Sequence, residues 1–239
     1  MTGETSLTLN TSGARAASDF GSAAGVRPAL LYRLGGLFVA AGAAGAFVAH
    51  WLHPRAPHDQ DSAVAFLHAT APAHLLLFGT LLVLFLGLPS LCARAASDSG
   101  LLGVAGSALV FLGVVCCDFL HCPVEFGAFT AMKEMPIDLV EKVYTATYYG
   151  GPLGFLQQFV GPPALLLGSL LFLFGTRRSR SLARWPRLFL WAFVVLFVGN
   201  FVPAFPRALA QYFVGAFYVA LAGYGTGLLA SRADERESA

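Results

Sequence analysis

Long apolar runs recur along almost the whole chain, and they restrict its fold more than any other feature. A helix needs about 20 mostly apolar residues to cross a hydrocarbon core of roughly 30 Å. The chain has 239 residues, of which 56% are hydrophobic and only 12% charged. A soluble domain of this size cannot bury so much apolar surface. The sequence therefore predicts an all-α fold, a polytopic transmembrane helical bundle.

Six of the apolar runs are long enough to be spanning helices, and they lack the ten-residue alternation of membrane barrel strands. The predicted spans are residues 30–52, 74–93, 101–122, 153–174, 186–202 and 208–230. Residues 1–29 are rich in Ser, Thr, Gly and Ala, which predicts a disordered cytoplasmic tail. The six spans form one transmembrane domain over residues 30–231, with loops 53–73 and 123–152 on the far side and a second cytoplasmic tail at 232–239.

Basic residues are distributed unequally between the two faces of this topology. Eleven of them fall on the face that holds the chain termini: Arg15, Arg27, Arg33, Arg94, Arg177, Arg178, Arg180, Arg184, Arg187, Arg232 and Arg236. Four fall on the other face: Arg55, Lys133, Lys142 and Arg207. The positive-inside rule then predicts that both termini are cytoplasmic, in a cell inner (plasma) membrane of bacterial type.

Several functional classes are disfavoured by composition and motifs. A net charge of +2, without a basic patch, argues against a nucleic-acid partner. The chain has no P-loop, dinucleotide fingerprint, nucleophile elbow or zinc-protease motif. Ionisable residues are missing from the middle of the predicted spans, where ion-coupled transporters usually place them.

The histidines, by contrast, gather at the extracytoplasmic ends and loops. The chain has six: His50, His53, His58, His68, His74 and His121. His50 and His53 are three residues apart and share one helix face, while His74 begins the second span at the same depth. We predict His50, His53, His74 and His121 as metal ligands.

The end of the third span adds acidic groups to the same level. Asp118, His121, Cys122 and Glu125 follow one another at i, i+3, i+4 and i+7, which aligns them along one helical stripe. A carboxylate and an imidazole at this spacing resemble the metal ligands of helical bundles. An acidic residue inside an apolar stretch also needs a partner. We therefore predict catalytic or ligand roles for Asp118, His121 and Glu125, and we expect Asp118 and His121 to share one cavity with His50 and His74.

Amide side chains reach this level from the later helices. Gln157 and Gln158 lie early in the fourth span, and Asn200 lies late in the fifth. Pro162 and Pro163 remove backbone donors and so free carbonyls near Gln158. We predict Gln157, Gln158 and Asn200 as cofactor-binding residues.

Three functions are compatible with these residues. The first is binding of a transition metal or haem at the outer face, for redox chemistry or electron transfer. The second is an acid–base enzyme acting on a lipid or isoprenoid, with Asp118 or Glu125 as acid and His121 or His50 as base. The third is an accessory subunit of a larger membrane complex. The expected partners are membrane lipid, a hydrophobic small molecule and other membrane subunits.

Overall fold

The computed structural model describes residues 28–53, 60–132, 134–136, 138–140, 142–143, 146, 151–179, 182–206, 209 and 212–230. The helices within these ranges are α1 (Pro28–Leu52), α2 (Gln60–Val114), α3 (His121–Met132), α4 (Pro152–Phe155), α5 (Gly161–Thr176), α6 (Pro186–Gly199) and α7 (Phe213–Ala230). Two π-helical turns, Val115–Phe119 and Leu156–Val160, join α2 to α3 and α4 to α5. The fold is all-α, as predicted. The terminal tails and His58 lie outside the described residues.

Four helical segments of the described part are long and apolar enough to cross a membrane. They are Ala29–Leu52, His68–Gly127, Pro152–Thr176 and Phe213–Ala230, and the apolar helix α6 is shorter. Their length and composition indicate a multi-pass membrane protein. The number of spans and their orientation stay predictions.

The longest segment is a helical hairpin. Gly100 has φ of +56° and ψ of −139°, a conformation that essentially only glycine adopts, and it breaks α2 into two arms. The ring of Phe85 on the first arm lies 5.1 Å from the ring of Phe111 on the second. Phe78 stacks on Phe119 at 4.8 Å. The two arms therefore run antiparallel, and they correspond to the second and third predicted spans.

Glycines on α1 allow two neighbouring helices to pack closely against it. A Cβ atom at Gly42 would overlap the backbone of Leu84 on the first arm of α2, and one at Gly36 would overlap Gly225 on α7. Close approach of this kind is how helices associate in lipid, where apolar burial gives little driving force. The run of small residues in α1 thus places α1 between α2 and α7.

The helix limits differ from the predicted loops. Helix α2 begins at Gln60, so most of the predicted loop 53–73 is helical. Alanines dominate this stretch, and alanine has the highest helix propensity. Helix α3 likewise extends to Met132, into the predicted loop 123–152.

Arginines cluster at the end of the bundle that is opposite the histidines. Arg187 donates hydrogen bonds to the carbonyls of Arg177 at 2.8 Å and Ser179 at 3.2 Å. Ser179 also donates to the carboxylate of Asp98. These contacts join the end of α5 and the start of α6 to the α2 hairpin turn, so Arg177 and Arg187 lie together at that end of the bundle.

Candidate metal centre

His74 is the most constrained side chain of the site. It lies on the first arm of α2 and is 1% exposed. Its Nδ1 atom is 2.9 Å from the carbonyl oxygen of Thr70, one helical turn earlier. A carbonyl only accepts, so Nδ1 carries a hydrogen, and Nε2 is the ring nitrogen that faces the site. Nε2 contacts the Glu125 carboxylate.

His53 completes a group of three potential metal ligands. One ligand atom from each of His53, His74 and Glu125 lies within 4.8 Å of the other two. His53 follows the last residue of α1 and is exposed, whereas His74 and Glu125 are buried. The rings of His53 and His74 meet edge to face, with centroids 4.9 Å apart. Two imidazoles and a carboxylate from three separate helical segments could therefore hold one metal ion.

His121 lies beside this group without belonging to it. Its ring centroid is 5.2 Å from that of His74, and the residue is 7% exposed. It precedes Glu125 by one helical turn on α3. Its buried Nδ1 atom has no hydrogen-bond partner of good geometry among the described residues. His121 is thus a neighbour of the group of three.

A second polar cluster involves His50, Asp118 and Tyr218. The Nε2 atom of His50 is 3.6 Å from the Asp118 carboxylate, and the Tyr218 hydroxyl donates a hydrogen bond to that carboxylate. The rings of His50 and Tyr218 stack with centroids 5.4 Å apart. Asp118 thereby obtains the partners that an acidic residue in an apolar stretch requires. His50 belongs to this cluster and not to the group of three.

The π-helical turn Val115–Phe119 explains why the predicted stripe of four residues divides. A π turn changes the register of a helix, so residues after it point in a different direction. Asp118 points toward His50, whereas His121 and Glu125 face His74. Cys122 is completely buried in the apolar core, and its thiol donates to the Asp118 carbonyl at 2.8 Å.

Both clusters border one cavity of about 970 Å³. His50, His53, His74, Asp118 and His121 all line it, so the structure brings together the residues that were predicted to share a cavity. Its other walls are largely apolar and come from α1, α2, α6 and α7. The residues of these walls include Phe47, Trp51, Leu77, Phe189, Ala192, Leu196, Val214 and Val219. Lys and Arg are missing from the lining formed by the described residues.

Of the three predicted amides, only Gln157 reaches the cavity. It lies in the π-helical turn that precedes Pro162 and Pro163, where the missing proline donors favour an irregular helix. Gln158 is exposed. Asn200 is also exposed, and its amide donates to the Leu196 carbonyl at the end of α6.

Tyr218 is a site residue that the sequence analysis missed. It is completely buried, and buried tyrosine hydroxyls usually have a hydrogen-bond partner. The requirement of Asp118 for a partner was visible in the sequence, but its pairing with Tyr218 was not.

Comparisons of the chain with models of protein families, with curated proteins and with solved structures gave no match.

Proposed function

We propose that this protein binds one divalent transition-metal ion through His53, His74 and Glu125, at the outer face of the inner membrane. The observation that carries the proposal is the 4.8 Å clustering of their three ligand atoms. Zinc bound by His and carboxylate has bond lengths of about 2.0–2.2 Å, so shifts of roughly 1 Å would bring all three into contact with one ion.

The orientation of His74 supports this function. Histidine ligands usually donate their second ring nitrogen to a carbonyl or carboxylate, which fixes the ring and its tautomer. The Nδ1 hydrogen bond to Thr70 provides this arrangement.

Charge supports it as well. Glu125 is 5% exposed, and a buried carboxylate is costly unless an opposite charge or strong hydrogen bonds compensate for it. A divalent ion supplies that charge.

The ligand set favours a directly bound ion over haem. Haem iron takes at most two protein ligands, on opposite faces of the macrocycle, whereas three protein donors cluster here. Two histidines and one carboxylate are used by catalytic zinc sites and by non-haem Fe(II) sites, both of which keep a position open for water or substrate. Redox chemistry follows if the ion is iron, and hydrolytic chemistry follows if it is zinc.

The six-span topology with both termini in the cytoplasm belongs to the same proposal. The end of the bundle with Arg94, Arg177 and Arg187 would face the cytoplasm, by the positive-inside rule. The metal site would then face outward.

Metal analysis of the purified full-length protein tests the proposal. We expect about one equivalent of zinc or iron in the wild type. Changes to outer-shell residues typically weaken metal affinity 10–100-fold, so the ligand variants His74→Ala and Glu125→Gln should weaken it at least as much. His68→Ala is the matched control, since His68 is exposed on the same helix and outside the group of three. A metal-free wild type, or variants that retain the wild-type affinity, would refute the metal site and favour an accessory subunit.

A further inference from the structure

The cavity beside the candidate metal centre has an apolar part and a polar part, and both restrict what it can bind. We propose that it binds one single-chain lipid with an uncharged hydroxyl head group, and that this hydroxyl donates its one hydrogen bond to Asp118 or to Gln157. The inference rests on the proposed function only for the ion that would balance the carboxylates of Asp118 and Glu125.

The apolar part fits a hydrocarbon chain. The walls include side chains of Phe47, Leu77, Phe189, Leu196 and Val219. Each CH₂ group moved from water into such surroundings adds to the stability of the complex. The volume of about 970 Å³ lies at the upper end of the usual range for small-molecule sites, which leaves room for a chain.

The polar part is rich in acceptors. A carboxylate has about four lone-pair positions, so the Asp118 carboxylate keeps acceptor capacity after the hydrogen bond from Tyr218. The Oε1 atom of Gln157 is buried and has no hydrogen-bond partner among the described residues. A ligand that donates a hydrogen bond matches these two acceptors. A hydroxyl donates a hydrogen bond, whereas an ester carbonyl does not.

Charge excludes anionic head groups. The described lining holds the Asp118 carboxylate, Glu125 lies directly behind His74, and neither Lys nor Arg is among those lining residues. One divalent ion would about balance these two carboxylates. A fatty acid or phospholipid would therefore bring a further negative charge close to these carboxylates, and the described lining residues include no Lys or Arg to pair with it, which is unfavourable where that charge leaves water.

Photo-crosslinking of the metal-loaded, full-length protein tests the inference. The probe is hexadecanol with a diazirine in its chain, and the comparison probe is hexadecanoic acid with the same diazirine. Ala192→Trp fills the cavity from α6. Val195→Trp is the matched control, because Val195 lies on the same helix, is 56% exposed and does not border the cavity. Bound metal is measured on every sample.

We expect hexadecanol labelling to saturate, to be displaced by unlabelled hexadecanol, to disappear in Ala192→Trp and to persist in Val195→Trp. The acid probe should bind about tenfold or more weakly, the factor expected for a hydrogen bond to a charged group. Asp118→Asn should reduce this preference for the alcohol over the acid. Gln157→Leu should reduce it as well, and this variant leaves the Asp118 cluster intact, so it serves as the test if Asp118→Asn does not fold.

Two results would overturn the inference: labelling that does not saturate or survives in Ala192→Trp, and equal labelling by the acid probe. If either occurs in protein with normal metal content, the lipid is wrong and the metal site stands. Saturable, cavity-dependent labelling of metal-free protein would instead support the lipid and refute the metal site.

Discussion

His74 donates its Nδ1 hydrogen to the Thr70 carbonyl at 2.9 Å, within the same helix. Rotation of the ring is thereby restrained, and Nε2 is directed toward Glu125 on α3. Because both partners of His74 belong to the α2 hairpin and its continuation, the core of the candidate metal centre is built from one contiguous part of the chain. Only His53, which follows the end of α1, comes from outside this part of the chain.

The separation of His50 from His53 gives a first prediction. His53→Ala should lose the bound metal, because it removes one of three ligands. His50→Ala should retain the metal, because its ring contacts Asp118 and Tyr218 instead. Metal content after gel filtration, with monodispersity as the folding control, measures both. Loss of metal from both variants would restore the sequence-based ligand set, and retention of metal by His53→Ala would refute the set proposed here.

Helix packing gives a second prediction. Gly225→Ala places a methyl group against the backbone of Ala40, where two helices touch. Overpacking of this kind typically costs about 1–3 kcal/mol, so the thermal unfolding midpoint in detergent should fall by several degrees. Gly79→Ala is the control, since a Cβ there meets nothing within 4 Å. The control should be neutral or stabilised by up to about 1 kcal/mol, because alanine favours the helix. Equal midpoints in the two variants would contradict the close contact between α1 and α7.

Membrane orientation gives a third prediction. A reporter that is active only in the cytoplasm should be active after Ala239 and silent when inserted near His58, as the excess of arginine at one end requires. Expression of each fusion, checked by immunoblot, is the control for silence. The reverse pattern would place the histidines in the cytoplasm.

Much of the fold follows from simple sequence features. Continuous apolar runs require helices, and Gly100 separates two runs at the position where the hairpin turns. Helix limits were less predictable. The residues before His74 are rich in alanine, which favours a helix, but they are not apolar enough to be predicted as part of a span. Depth along each span also predicted which side chains share the cavity.

The partition of the site into two clusters was not predictable from spacing. A regular helix would align Asp118 with His121 and Glu125, but the π-helical turn at Val115–Phe119 changes the register between them. That turn depends on how α2 and α5 pack, since Gly161 of α5 lies directly against Cys116 and Cys117. Rotation about the helix axis is a tertiary property, so the pairs His74–Glu125 and Asp118–Tyr218 required the structure.

X-ray absorption spectroscopy at the edge of the bound metal tests the central claim most directly. We predict a first shell of nitrogen and oxygen atoms at about 2.0–2.2 Å, with the outer-shell scattering of imidazole rings and no sulfur at about 2.3 Å. His74→Gln should bind less metal, and the metal that it retains should show less imidazole scattering, while His68→Gln should leave both unchanged. A sulfur shell, which would indicate cysteine ligation, or an unchanged spectrum in His74→Gln would contradict a metal centre formed by His53, His74 and Glu125.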